Sequence, residues 1–255
     1  MVIPLSHPTV ERLLAIMDQK HHWAWPSFTR PGLSRPQLLV HFRNEYATYV
    51  RDFPVLLARA LGQVPDLIDV RRSLAENIYE EQTGGLSRSA SHPELFLEMM
   101  EGCGYKRDAF SAVALAPAAQ GYRAFLDEVS WDRPWVRGAA VLTIFVEGSA
   151  KERRELADLE ARPGAKEDPA VSAAALDAAV LQHPLVRLHG VDPTAMRLAR
   201  VHKEVEGGHR RDAWEAVLGN VPSTQEDQVA GAMERALELW LAYRDEVAAA
   251  CGISR

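Results

Sequence analysis

The sequence has few cysteines, no excess of basic residues and no long apolar run. Its two cysteines, Cys103 and Cys251, form no CxxC motif, which argues against a disulfide scaffold or a thiolate metal site and makes the reducing cytoplasm the expected compartment. Lysine and arginine total 29 against 35 aspartate and glutamate residues, a net charge of −6. A nucleic-acid partner, which would favour a clustered basic excess, is therefore not expected.

Membrane and export signals are missing as well. No apolar run approaches the roughly 20 residues of a membrane span. The start, "MVIPLSHPTVERLL", has neither the basic n-region nor the apolar h-region of a signal peptide,. We expect no membrane partner.

Alternating strand patterns and Asn-Gly hairpins are also absent, and helical periodicity runs along almost the whole chain instead. Proline and glycine punctuate it: Pro54 should kink one helix, and Gly84 and Gly85 should end the next. Helices are also predicted over 107–128 and 131–160.

The pattern predicts an all-α protein, and we expect one domain over residues 1–255. Residues 155–190 are richer in alanine and proline than the rest and are interpreted as an insertion between core helices that covers a site.

The segment "RVHKEVEGGHRRDAW", residues 200–214, carries a stripe of metal-ligand residue types. The spacings of four and three residues place His202, Glu206 and His209 on one helix face. Imidazole and carboxylate are ligands for iron, manganese or zinc. Because basic residues are interleaved, a solvated charged face is the alternative.

Gly207 and Gly208 interrupt this stripe. Each glycine in a helix costs about 0.5–1 kcal/mol relative to alanine, so the turn should be marginal. Our hypothesis is that metal ligation restores its order. The alternative is that the glycines let a neighbouring helix pack closely.

Two other regions offer similar side chains. Glu80 and Glu81 end one predicted helix, and His92 opens the next. Glu147 follows the apolar run "AAVLTIFV", where a carboxylate tends to face a helical interior and needs a partner. The alternative is that Glu147 only marks the end of the apolar face. A glutamate from each of two helices plus a His/Glu stripe is the logic of diiron sites in helical bundles.

Three segments together resemble the heme-oxygenase-like diiron oxidases and oxygenases, relatives of thiaminase II, of pyrroloquinoline-quinone synthase and of the chlamydial death-domain-associated protein. They are "EYATYVRDFPVLLARAL", "AENIYEEQTGG" with "SHPELF", and "HKEVEGGH". The resemblance implies a single heme-oxygenase-like helical bundle of about seven to nine helices.

The resemblance also implies a site of two iron ions with six protein ligands. One ion would be held by Glu81, His92 and His202, and the other by Glu147, Glu206 and His209. A seventh carboxylate occurs in some members that oxygenate nitrogen, and Glu45 is the preferred candidate, ahead of Glu80 and Glu204. Glu206 departs from the family pattern, in which aspartate is commoner.

The activity implied by the resemblance is activation of O2 to oxidise a small amine- or amino-acid-like substrate, by N-oxygenation or by oxidative C–C cleavage, in natural-product or cofactor biosynthesis. No catalytic residue beyond the metal ligands is assigned. The candidates for substrate contact share helices with the predicted ligands; they are Tyr46, Tyr49, Tyr79, Arg43 and Arg51. His41 is a candidate for contact with a ligand side chain and not with the metal itself.

Several alternatives stay open. The protein could be a metal-free enzyme of the thiaminase or quinone-synthase kind, or a helical bundle with a degenerate site that binds a protein partner. Cys103 and Cys251 fit a thiaminase nucleophile poorly. Iron or manganese, an external electron donor and a homodimer are also left open.

Overall fold

The computed structural model describes residues 7–28, 32–160 and 172–255, with the backbone alone for residues 155, 158–160, 205–212 and 216. These residues form thirteen α-helices and no β-strand, which confirms the all-α prediction. In chain order the helices are α1 (Pro8–Asp18), α2 (Trp25–Phe28), α3 (Arg35–Thr48), α4 (Phe53–Leu61), α5 (Ile68–Thr83), α6 (His92–Gly102), α7 (Pro117–Ser130), α8 (Val136–Ala139), α9 (Glu152–Glu160), α10 (Ala173–Gln182), α11 (Pro184–His189), α12 (Arg197–Leu218) and α13 (Glu226–Ala250).

Proline and glycine set several of the helix ends. The predicted kink at Pro54 is a full break, because a 3-10 turn at Val50–Asp52 separates α3 from α4. Gly84 ends α5 in the left-handed conformation, with φ of 63°, which glycine adopts without steric cost. Such breaks divide the predicted segments into more and shorter helices.

Two predicted helices have different bounds. The helix predicted over 107–128 begins only at Pro117, after a 3-10 turn at Arg107–Phe110, because proline at the first turn starts a helix. The helix predicted over 131–160 is divided. After α8 the chain forms a π-helix, Ala140–Val146, which ends at Glu147, and α9 starts at Glu152. Glu147 therefore terminates a helix and does not lie inside one.

The buried apolar side chains form two clusters. The first, which we call the large core, joins α1, α4, α5, α7, the π-helix and α13, with Leu57 and Tyr243 fully buried. The second, which we call the small core, joins α3, α6, α10 and α11. Helix α12 packs in both, through Val201 in the small core and Trp214 in the large one.

The predicted insertion over 155–190 contributes to both cores. Leu156 packs in the large core, and Val180 and Leu185 pack in the small one; residues 161–171 lie outside the described part. Along the described ranges, no helix combines the length and hydrophobicity that crossing a bilayer requires.

Candidate metal centre

A cavity of about 570 Å³ lies where the two cores meet. Aromatic and aliphatic side chains from α2, α3, α6 and α12 form most of its wall, and His183, Pro184 and Leu185 close it from the predicted insertion. Four of the six predicted metal ligands line it, namely Glu81, His92, Glu147 and His202. The structure thus brings together predicted ligands from four separate segments of the chain.

The other two predicted ligands, Glu206 and His209, lie outside the described side chains. The backbone of α12 is helical through both positions and through Gly207 and Gly208. Within the described part of the chain, no three carboxylate, imidazole or thiol groups are close enough to form a metal site by themselves. The hypothesis that metal ligation orders the helix turn at Gly207 and Gly208 stays a prediction.

His92 is the best-defined member of the site. It is buried at the first turn of α6, with Pro93 in that turn. Its Nδ1 lies 2.7 Å from Glu81 Oε1, and its Nε2 lies 3.2 Å from Glu80 Oε1. The rings of His92 and His202 have centroids 5.0 Å apart. Burial lowers the pKa of His92, but Glu81 and Glu80 outweigh burial and raise it above its usual value.

The contact between His92 and Glu81 fits a shared cation. Nδ1 is buried and has no hydrogen bond of acceptable geometry within the described chain, although the carboxylate oxygen is 2.7 Å away. Two lone pairs this close repel each other, so the contact requires either a proton on Nδ1 or a metal ion between the two atoms. With metal–ligand bonds of about 2.1 Å, two adjacent ligand atoms lie about 3 Å apart. Imidazole and carboxylate are also donors that iron accepts, so the residues fit a metal ion.

Glu147 is positioned by neighbours on both sides. Asn77, buried on α5, donates from Nδ2 to Glu147 Oε1 at 2.5 Å. Lys20 donates to the carbonyl oxygens of Phe145, Val146 and Gly148, the last at 2.6 Å, and so satisfies carbonyls that the helix end leaves free. A π-helix of this kind often marks a functional site.

Glu45, the predicted extra ligand, lines the same cavity and has partners of its own. Its Oε1 accepts from Tyr49 at 2.5 Å and from Arg244 at 3.0 Å, and its Oε2 lies 3.3 Å from His41 Nε2. Burial raises the pKa of Glu45, but the charge of Arg244 and the contact with His41 lower it well below its ordinary value. Glu45 is therefore an anion at neutral pH.

The predicted substrate contacts separate in the structure. Tyr49 and His41 line the cavity. Tyr46 is buried against Phe96 with ring centroids 5.4 Å apart, and Tyr79 is exposed on α5. Arg43 and Arg51 lie away from the cavity wall.

Both cysteines also lie outside the cavity wall. Burial raises the pKa of each thiol to about 11, which leaves little thiolate, the nucleophilic form.

Some residues around the site gave no usable signal in the sequence. The sequence offers Glu80 only as a less favoured extra ligand, although the side chain is fully buried and accepts hydrogen bonds from two backbone N–H groups. Asn77, Lys20 and Arg244 were not recognised. Arg244 lies 199 positions from Glu45, and only the tertiary fold shows that pairing.

The helical fold is of the heme-oxygenase-like class. Two solved structures share the fold. The first is a TenA homolog from Pseudomonas syringae pv. tomato str. DC3000, with a TM-score of 0.66 and 14% identity, and the match covers 96% of this chain and 97% of that one. The second is a domain with a heme oxygenase-like fold from Shewanella denitrificans OS217, with a TM-score of 0.65 and 16% identity, and the match covers 97% of this chain and 93% of that one. At such identities the likeness shows the fold alone.

The sequence identifies the family more narrowly. Residues 40–241 match the family described as iron-containing redox enzyme, and the chain belongs to it. This confirms the resemblance seen in the three sequence segments. None of the curated proteins matches the chain.

Proposed function

We propose that the protein is a non-heme diiron oxidase or oxygenase that uses O2 to oxidise a small amine- or amino-acid-like substrate. The observation that carries the proposal is the meeting of Glu81, His92, Glu147 and His202 at one cavity. Glu206 and His209, one and two turns further along α12 than His202, would complete the six ligands. Iron, when bound, would supply the reduction of O2, which side chains alone do not perform.

The remaining wall of the cavity indicates what the protein would do for a substrate. Trp25, Phe28 and Phe42 form an apolar region that excludes water and suits an apolar substrate body,. Glu45 and Tyr49 add polar groups next to this region. Glu45 is already paired with Arg244 and His41, but the aromatic rings of the wall can themselves bind a protonated amine. Amine oxidation is therefore our first choice over C–C cleavage.

Two competing functions have weaker support. A metal-free reaction of the thiaminase kind would agree with the fold of the TenA homolog, but the cysteines are buried away from the cavity with raised pKa values. A protein-binding bundle with a degenerate site would not require buried carboxylates and imidazoles around one cavity.

Anaerobic titration with Fe(II) tests the proposal. We expect about two Fe(II) per chain and, on admission of O2, a transient absorbance in the visible range. The variant E81Q should lose iron. The matched control is E76Q, since Glu76 is an exposed glutamate on the same helix, and it should bind iron like the wild type.

Three results would count against the proposal. They are the failure of the wild type to bind Fe(II), equal iron content in E81Q and E76Q, and substrate turnover that persists in excess chelator. The last would favour the metal-free alternative.

A further inference from the structure

We propose that Glu80 is a positioning residue that fixes the tautomer and orientation of His92, so that the Nδ1 lone pair faces the candidate metal site. This inference rests on the proposed function, because it assumes that His92 is a metal ligand. The contacts of Glu80 that support it do not depend on a bound metal. It assigns Glu80 and Glu81, two adjacent acids, to different tasks.

Both carboxylate oxygens of Glu80 are used. The side chain is fully buried, at 0% exposure. Its Oε2 accepts from the backbone N–H groups of Leu86 at 2.8 Å and Ser87 at 3.0 Å. Its Oε1 lies 3.2 Å from His92 Nε2. One oxygen therefore holds the loop after α5, and the other holds the imidazole that follows this loop.

The chemistry of the two groups decides the tautomer. An ionised carboxylate only accepts hydrogen bonds, so the hydrogen in this contact belongs to His92 Nε2. Nδ1 lies 2.7 Å from Glu81 Oε1 but outside hydrogen-bond geometry, so the neutral ring keeps its hydrogen on Nε2 and its lone pair on Nδ1. The lone pair and the Glu81 oxygen together face the place where a metal would bind.

The backbone around Glu80 is built to hold this arrangement. Consecutive residues on a helix point about 100° apart, so Glu81 faces the cavity while Glu80 faces the loop. Gly84 turns the chain in the left-handed conformation and accepts from Ser89 N at 2.9 Å. This compact turn brings the Leu86 and Ser87 amides over the carboxylate.

A carboxylate that binds the far nitrogen of a ligating histidine orients the ring and increases its basicity, and its loss typically weakens metal binding 10- to 100-fold. We expect the same role for Glu80. A merely structural role would require only that Oε2 hold the loop.

The variant E80Q separates the two roles. Its amide oxygen would accept from Leu86 and Ser87, which keeps the loop, and its NH₂ group would then face His92 Nε2. An NH₂ donor requires an acceptor, so the ring proton should move to Nδ1. Nδ1 would no longer offer a lone pair to a metal.

The first measurement is ¹⁵N NMR of histidine-labelled, metal-free protein at alkaline pH, where the ring is neutral, with His92 assigned by its loss in H92Q. We expect the Nε2–H tautomer in the wild type and in the control E76Q, and the Nδ1–H tautomer in E80Q. The second is Fe(II) affinity, which should fall 10- to 100-fold in E80Q and not in E76Q.

The Nδ1–H tautomer in the wild type, or an unchanged Nε2–H tautomer in folded E80Q, would overturn the inference. A switched tautomer with wild-type Fe(II) affinity would overturn the metal-directed role. Because the wild-type spectrum is recorded without metal, it decides the tautomer even if E80Q does not fold. Failure of the wild type to bind Fe(II) would refute the proposed function alone.

Discussion

Replacement of Glu45 by glutamine should destabilise the protein strongly, because it breaks a buried ion pair. The side chains of Glu45 and Arg244 are 16% and 6% exposed, and their charged groups are 3.0 Å apart. Removing one partner of a buried pair typically costs 3–5 kcal/mol, since the other charge is left uncompensated. Glu45 retains some exposure and glutamine can still accept from Tyr49, so we expect the lower end, about 3 kcal/mol.

Urea-induced unfolding followed by circular dichroism at 222 nm measures this loss, and thermal unfolding should show a Tm lower by about 6–12 °C. The double variant E45Q/R244M provides the control, because it removes both charges. Methionine would occupy apolar space beside Trp25 and Trp240, whose rings contact Arg244. The double variant should lose at least about 1 kcal/mol less than the sum of the single variants.

The reasoning is refuted if E45Q costs less than about 0.5 kcal/mol, or if the two single effects add in the double variant. The same E45Q protein also tests the predicted extra ligand. Unchanged Fe(II) stoichiometry would leave Glu45 outside the metal site, and a lower stoichiometry would place it inside.

Two further predictions concern regions away from the ligands. The pKa of Asp52 is lowered to about 2 from 3.8, mainly by the hydrogen bond from Arg51 and then by Arg123, against burial. The ionised carboxylate therefore stabilises the fold above pH 3.8, and this stabilisation is lost as pH falls towards 2. Between pH 7 and pH 3, D52N should lose about 1 kcal/mol less unfolding free energy in urea than the wild type, and equal losses would contradict this. G84A should cost at least about 2 kcal/mol of stability, because a Cβ on this left-handed residue would lie 2.4 Å from Ala90 O. In the control G231A the added Cβ would have no atom within 4 Å, so this variant should be neutral or stabilising. Equal stabilities of the two variants would refute the steric argument.

The sequence contained enough information for the helical class and for the carboxylate and imidazole side chains that line the cavity. Helical periodicity and the breaks at Pro54 and Gly84 follow from local backbone chemistry, so they could be recognised without tertiary contacts. Glu81, His92 and His202 were predicted from two sources: ligand-type side chains recur beside helix ends and at helical spacing, and the family resemblance favoured Glu81 over Glu80. The structure brings these three to one cavity.

What the sequence did not reveal depends on contacts between distant segments. The contacts of Glu80 with the loop before His92 depend on how α5 packs against that loop, because Glu80 and Glu81 are adjacent acids with equal local propensity. Asn77 meets Glu147 across 70 positions. Where the predicted helix over 131–160 divides, Lys20 donates hydrogen bonds to the carbonyl oxygens at the end of the π-helix, a contact that no local pattern indicates.

Because the cavity lies where the large core and the small core meet, an ion bound there would contact side chains from both. Glu81 and Glu147 extend from elements of the large core, whereas His92 and His202 extend from helices that pack in the small core. An ion held by Glu81, His92 and His202 would therefore connect the two separately packed halves to each other. Loss of that ion would lower the cooperativity with which the halves unfold, and the small core, which has fewer buried side chains, would be the first to open.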